Sequence, residues 1–197
     1  MVIPDFRLKF SQHVRALADI TNAYDATPER LVSATLHLWQ MQSFTGLAPK
    51  RTPWGTAHLL ETPAVIAFSL WLARQPFNDA AYWLATAYAN WVGDDIRNQR
   101  ALFFTPPRLA DRVITNLVAH KGSLAEHHWH DPACGGAAFM VPIAQRMATA
   151  LECAGISAVD QLKHIERNRT GNDLDSVLLN LSRSFLDVAL YGSAQCA

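Results

Sequence analysis

Residues 131–139 read Asp-Pro-Ala-Cys-Gly-Gly-Ala-Ala-Phe, and no regular element can run through them. Pro132 removes a backbone donor, and Gly135 and Gly136 admit backbone angles closed to other residues. The next segment, AFMVPIAQRMATALECAG, sets Phe139, Ile143, Met147 and Leu151 at four-residue spacing, which is one face of a helix. Pro142 falls near the first turn of that helix, where a missing N–H costs little. The preceding HHWH, if extended, puts His128 and His130 on one face and His127 and Trp129 on the other. Strand, narrow turn, helix is therefore the expected order.

Flanking segments extend the pattern. ALFFTPPRLADRVITNLVAH places a Thr-Pro-Pro turn before an amphipathic helix with Leu109, Val113, Ile114 and Leu117 expected inward. GNDLD follows a polar segment and precedes a last helix in which Leu178, Leu181, Phe185 and Val188 recur on one side. Short strand, turn, helix, short strand, acidic turn, helix is the opening of a doubly wound sheet. The first hundred residues instead read as helices. Thr27 with Pro28 and Thr62 with Pro63 mark two starts, and Asn78 a third, with Gly93 as a stop. Leu31, Thr35, Leu38 and Met41 share a face of the first of these, with Trp39 near it. Trp71, Tyr82, Trp83 and Trp91 read as packing between helices rather than as a base-stacking surface. The fold class expected is α/β: an incomplete Rossmann-like sheet of two strands over 101–197, preceded by an all-helical region over 1–100.

Composition excludes some classes. Lys plus Arg equals Asp plus Glu at 17 each in 197 residues, so charge alone does not argue for a nucleic-acid surface. Three cysteines, Cys134, Cys153 and Cys196, are too few and too irregular for a disulfide framework and fit a reducing cytoplasm. The charged start MVIPDFRLKFSQ does not read as a signal peptide, and PAVIAFSLWLA is about half the length that crosses a bilayer. A soluble, cytoplasmic chain with no membrane partner is expected.

The turn itself points to a ligand. Its glycines let a ligand approach the main chain, and the following helix presents unpaired N–H groups. Asp131, at the carboxyl end of the strand, lies where open α/β sheets bind ligands; it repels phosphate and welcomes an ammonium group. Asp173 in GNDLD is placed to accept hydrogen bonds from both hydroxyls of a ribose, Leu174 to pack on a purine face, and Asp175 to cap the last helix. The histidines, with Cys134, would need a further ligand to hold zinc, and no Cys-x-x-Cys or His-x-x-x-His accompanies them. No metal is expected.

These elements together carry a resemblance. DPACGGAAF resembles the first cofactor motif of S-adenosylmethionine-dependent DNA methyltransferases, typically Asp-Pro-Ala-Cys-Gly-x-Gly-x-Phe. FFTPPRLADRVI looks like the Thr-Pro-Pro motif of the N6-adenine enzymes whose cofactor motifs come first, and GNDLD is similar to their acidic motif. The resemblance spans residues 103–175, and residues 1–100 add nothing specific to it. It implies that Thr105 contacts the methionine carboxylate, that Asp131 approaches the ammonium, and that the Ala133–Gly135 backbone lies along the methionine part. Asp173 would hold the ribose. The implied binding set is Phe104, Thr105, Pro106, Asp131, Ala133, Cys134, Gly135, Asp173 and Leu174, with S-adenosylmethionine as cofactor and double-stranded DNA as partner of the full-length enzyme, in a restriction-modification setting.

Departures are visible. Ala137 stands where the family's second glycine usually is, and the strand regions HHWH and HIERNRT are polar. Asp131 and Asp173 are about forty residues apart, against the roughly twenty usual in dinucleotide folds. The Asn-Pro-Pro-Tyr motif that handles the flipped base is absent from the 197 residues. The chain therefore reads as the N-terminal piece of a longer enzyme, inactive alone. A two-stranded sheet further predicts that Phe139, Ile143, Met147, Leu178, Leu181 and Phe185 stay partly exposed unless the N-terminal helices cover them. The alternative is a non-catalytic helical interaction protein whose glycine turn is structural; a protein or RNA methyltransferase is disfavoured by the Thr-Pro-Pro element.

Overall fold

The computed structural model describes residues 4–24, 26–44 and 57–195, so Cys196 lies outside the described residues. The described residues are mostly helical with one two-stranded parallel sheet, and the chain forms two compact units, Met1–Phe103 and Phe104–Ala197.

The first unit holds α1 (Pro4–Tyr24), α2 (Pro28–Ser43), α3 (Ala57–Leu60), α4 (Pro63–Ala73), α5 (Phe77–Trp91) and α6 (Asp94–Gln99). Thr27 caps α2, accepting from the Arg30 N–H. α4 starts as expected, with Thr62 at its N-cap and Pro63 first in the helix, although the Thr62 hydroxyl donates to the His58 carbonyl rather than capping. The third expected start is displaced: α5 begins at Phe77 after Pro76, which leaves Asn78 inside its first turn. Gly93, at φ +86°, separates α5 from α6. The core is built from α2 on α4 and α5, with α1 across α4 and α5. Leu17, Leu31, Trp39, Phe68, Leu72, Leu84 and Tyr88 are fully buried there. On α2 the buried face runs through Leu31, Thr35 and Trp39, whereas Met41 is exposed. The expected stripe is thus rotated toward Trp39, whose large ring stacks on Phe77 at 5.5 Å. The half-buried Trp71, Trp83 and Trp91 belong to an aromatic cluster with half-buried Phe6 and buried Phe10 and Phe68, and Tyr82 packs on Trp83, so these rings are packing groups.

The second unit runs α7 (Pro107–Lys121), a 3-10 turn (Leu124–Glu126), β1 (Trp129–Asp131), α8 (Met140–Cys153), α9 (Ala158–Arg167), β2 (Arg169–Gly171) and α10 (Ser176–Gln195). The strands pair in parallel, Trp129 with Arg169, His130 with Thr170 and Asp131 with Gly171. α9 fills the long interval between the motifs, so the extra residues lie in the crossover and leave the strand pairing intact. The polar strands also find their reason. One sheet face is exposed, and there His130 Nδ1 lies 2.9 Å from the Thr170 hydroxyl. A parallel strand covered on both faces would instead read as a continuous apolar run.

α8 and α10 pack against each other and bury Ile143, Met147, Leu178, Leu181, Phe185 and Val188; Phe139 and Leu151 are half-buried. The expectation of a partly exposed stripe is therefore corrected for all its members except Phe139. α7 requires another correction. Only Ala110 and Ile114 are buried on it, whereas Leu109 and Val113 are exposed and Leu117 is half-buried. Ala110 and Ile114 are four residues apart, so the buried part of the helix is one narrow i, i+4 strip. Arg146 on α8 ties the helix further by bonding Asp111 and Thr115. No described helix is long and apolar enough to cross a membrane.

Asp175, 2% exposed, caps α10 by accepting from the Val177 and Leu178 N–H groups at 2.9 and 3.2 Å. Asp175→Ala should lower the unfolding free energy by about 1 kcal/mol, within the range for lost N-caps. Urea denaturation followed by circular dichroism checks this, and an unchanged midpoint would contradict it.

Candidate functional site

β1 ends at Asp131, and pairing continues beyond it as main-chain bonds. The Asn172 N–H donates to the Asp131 carbonyl at 3.0 Å, and the Cys134 N–H to the Asn172 carbonyl at 2.9 Å. The two strand ends are thereby held side by side, and the glycine turn leaves β1 next to the acidic loop that leaves β2. Asp131 folds its own side chain over the turn, Oδ1 accepting from the Ala133 N–H at 3.2 Å. This is the local bond that Asp makes readily at turns.

Gly135 is the centre of the arrangement. Its φ is +48°, a region that favours glycine. Its N–H donates to Asp173 Oδ2 at 2.8 Å, and its carbonyl accepts from the Ser182 hydroxyl of α10. A side chain added at Gly135 would start 3.4 Å from the Phe104 ring, so the segment preceding α7 reaches the turn. Thr105 and Pro106 continue the chain from Phe104, Thr105 half-buried and Pro106 exposed at the start of α7. Gly171 is closely approached by a side chain. A Cβ there would lie 3.1 Å from the Cys134 Cβ and 3.3 Å from its sulfur. The last residue of β2 is thus bare so that the turn can lie against it.

Ala137 is a non-glycine residue in the left-handed region. Its φ is +62°, and its N–H donates to the Cys134 carbonyl at 2.7 Å. An alanine held left-handed costs about 1–2 kcal/mol, offset here by that bond and by burial of its methyl group at 1% exposure.

Asp173 is half-buried and carries two bonds, Oδ2 to Gly135 and Oδ1 to the Asp175 N–H at 2.8 Å. Each carboxylate oxygen retains a further lone pair. Leu174 beside it is fully exposed at 100%, an apolar side chain in water next to a carboxylate. Asp131 and Asp173 give this end of the sheet a negative field, suited to a cation and unsuited to phosphate.

The structure thus gathers Phe104, Asp131, Ala133, Cys134, Gly135 and Asp173 around one turn, with Leu174 at its open side. Two of the histidines of HHWH bond within the protein, His127 Nε2 lying 3.0 Å from the Lys121 carbonyl and His130 pairing across the strands with Thr170. Among the described residues no three His, Cys, Asp or Glu side chains converge as a metal site. Ser182 is the residue that sequence reasoning missed. Its signal was present: a hydroxyl inside the apolar stripe of α10, four residues after Leu178.

In comparisons with protein-family models, curated proteins and solved structures, nothing matches the chain. The functional reading therefore rests on the motif residues and their geometry.

The Cys134 thiol is pushed up from its ordinary pKa, mainly by burial and further by the Asp173 and Asp131 carboxylates, against a lowering contact from Ser182. Folding therefore favours the protonated thiol. This contribution to stability is fully present below the unfolded-chain value of about 8.5 and is lost as pH rises through the higher folded value. Iodoacetamide at pH 8 should modify exposed Cys153 and spare Cys134, which should react only after unfolding. Site-resolved mass spectrometry checks this; equal labelling of the two would show that the turn is open.

Proposed function

We propose that the second unit binds S-adenosylmethionine as the cofactor portion of a site-specific DNA methyltransferase acting on adenine N6. The observation that carries the reading is the Gly135–Asp173 hydrogen bond. It joins the two segments that resemble the family's glycine and acidic motifs, although 38 residues separate them, and Phe104 of the third motif packs at the same glycine.

The roles follow from chemistry. Asp131 faces the ligand ammonium with its free oxygen, and Thr105 offers a hydroxyl to the methionine carboxylate. The Ala133–Gly135 main chain lies along the methionine part, where absent and small side chains leave room. Asp173 accepts from the ribose hydroxyls with the lone pairs not engaged by the turn. Leu174 gains burial when a purine covers it. The cofactor would supply an activated methyl group, and this chain's residues bind and orient it. Orientation of an adenine amino group is a task for an Asn-Pro-Pro-aromatic segment, which these 197 residues do not contain.

One observation favours a second reading. Asp173 and Gly135 already satisfy each other, as they would in a purely structural turn of a non-catalytic interaction protein. Calorimetric titration with S-adenosylhomocysteine separates the two. The account predicts one saturable site, weakened in Asp173→Ala by roughly 1.5–3 kcal/mol, the range for hydrogen bonds to a charged group. Gly135→Val should abolish binding, since its side chain meets the Phe104 ring and its backbone is held left-handed. Absence of binding by the parent chain would leave the structural turn as the better reading.

A further inference from the structure

Hydroxyls on the helices of this chain commonly satisfy themselves on the carbonyl four residues back. Thr35 donates to Leu31, Ser69 to Val65, Thr86 to Tyr82 and Thr149 to Gln145. Such bonds are local and carry no tertiary information. Ser182 departs from this habit. It is 3% exposed, in the inward stripe with Leu178, Leu181 and Phe185, and its hydroxyl reaches out of the helix to the Gly135 carbonyl, 47 residues away in sequence. It also contacts the Cys134 thiol. A hydroxyl in a core position is costly without a partner, and here the partner is the turn.

The Gly135 N–H belongs to the peptide plane before its Cα, and the Gly135 carbonyl to the plane after it. Asp173 holds the first and Ser182 the second. Glycine otherwise samples both signs of φ freely, so two clamps are what keep this one at +48°. We infer that Ser182 is a positioning residue of the cofactor site: acting through Gly135, it holds the Ala133–Gly135 main chain in the orientation that meets the methionine end of the ligand. The inference rests on the cofactor reading above. Ser182 touches no ligand atom itself, and its effect is confined to the part of the ligand that lies along the turn.

That confinement supplies the test. S-adenosylhomocysteine carries both nucleoside and amino-acid parts, whereas 5′-methylthioadenosine lacks the amino-acid part. Ser182→Ala should weaken S-adenosylhomocysteine roughly 3- to 10-fold, as expected for one neutral hydrogen bond, and leave 5′-methylthioadenosine affinity unchanged. Ser182→Thr, which restores the hydroxyl, should recover the lost affinity, and amide exchange of Gly135 should be faster in Ser182→Ala than in the parent. Should Ser182→Ala fail to fold, the near-isosteric Ser182→Cys is measured in the same way. Equal loss for both ligands, or unchanged affinity for both, overturns the inference while the cofactor reading stands. A parent chain that binds neither ligand overturns the cofactor reading and this inference with it.

Discussion

A single hydrogen bond, from the Gly135 N–H to Asp173 Oδ2 at 2.8 Å, organises the second half of this chain. The strands that carry these residues are three residues each, too short for ladder bonds alone to set a firm geometry. Pairing is prolonged beyond them by Asn172 on Asp131, Cys134 on Asn172 and finally Gly135 on Asp173. The last has a charged acceptor and is half-buried, which makes it stronger than a neutral bond, about 1.5–3 kcal/mol. It is the bond that ties the glycine turn to a side chain of the acidic loop.

Close approach has consequences for residue choice. Gly171 is bare because the Cys134 side chain lies against it. Ala137 tolerates a left-handed backbone because its carbonyl partner and its burial offset the strain. Cys134 stays a thiol because burial and two nearby carboxylates oppose its ionisation. Concentrated strain and desolvation of this kind are characteristic of functional sites. The same burial and carboxylates lower the reactivity of the Cys134 thiol.

Much of this was legible in the residues. The helices α8 and α10 announce themselves because their buried side chains recur at near-helical spacing, and the turn because Pro132, Gly135 and Gly136 exclude a regular element. Asp175 was readable as a cap from its place before an apolar run. Other features were hidden for physical reasons. On α7 only Ala110 and Ile114 are buried, and a hydropathy pattern weighs the larger Leu109 and Val113 more heavily than the small Ala110. The strands look wrong for a buried sheet because one face, with His130 and Thr170, is exposed. α9 lies in the crossover between the paired strands, which accounts for the long interval between Asp131 and Asp173. Ser182 escapes because a single serine in a helix ordinarily bonds to its own helix, and only coordinates show where its hydroxyl is aimed.

The central claim is that the turn, the acidic loop and the segment before α7 form one ligand surface. Its most direct test is mapping of backbone amide shifts by NMR while S-adenosylhomocysteine is titrated into the full chain. The account predicts saturable shifts at Phe104, Thr105, Asp131, Ala133, Gly135, Asp173 and Leu174, moving together with one affinity. Shifts confined to residues 4–99, or none at ligand concentrations well above the millimolar range, would contradict it.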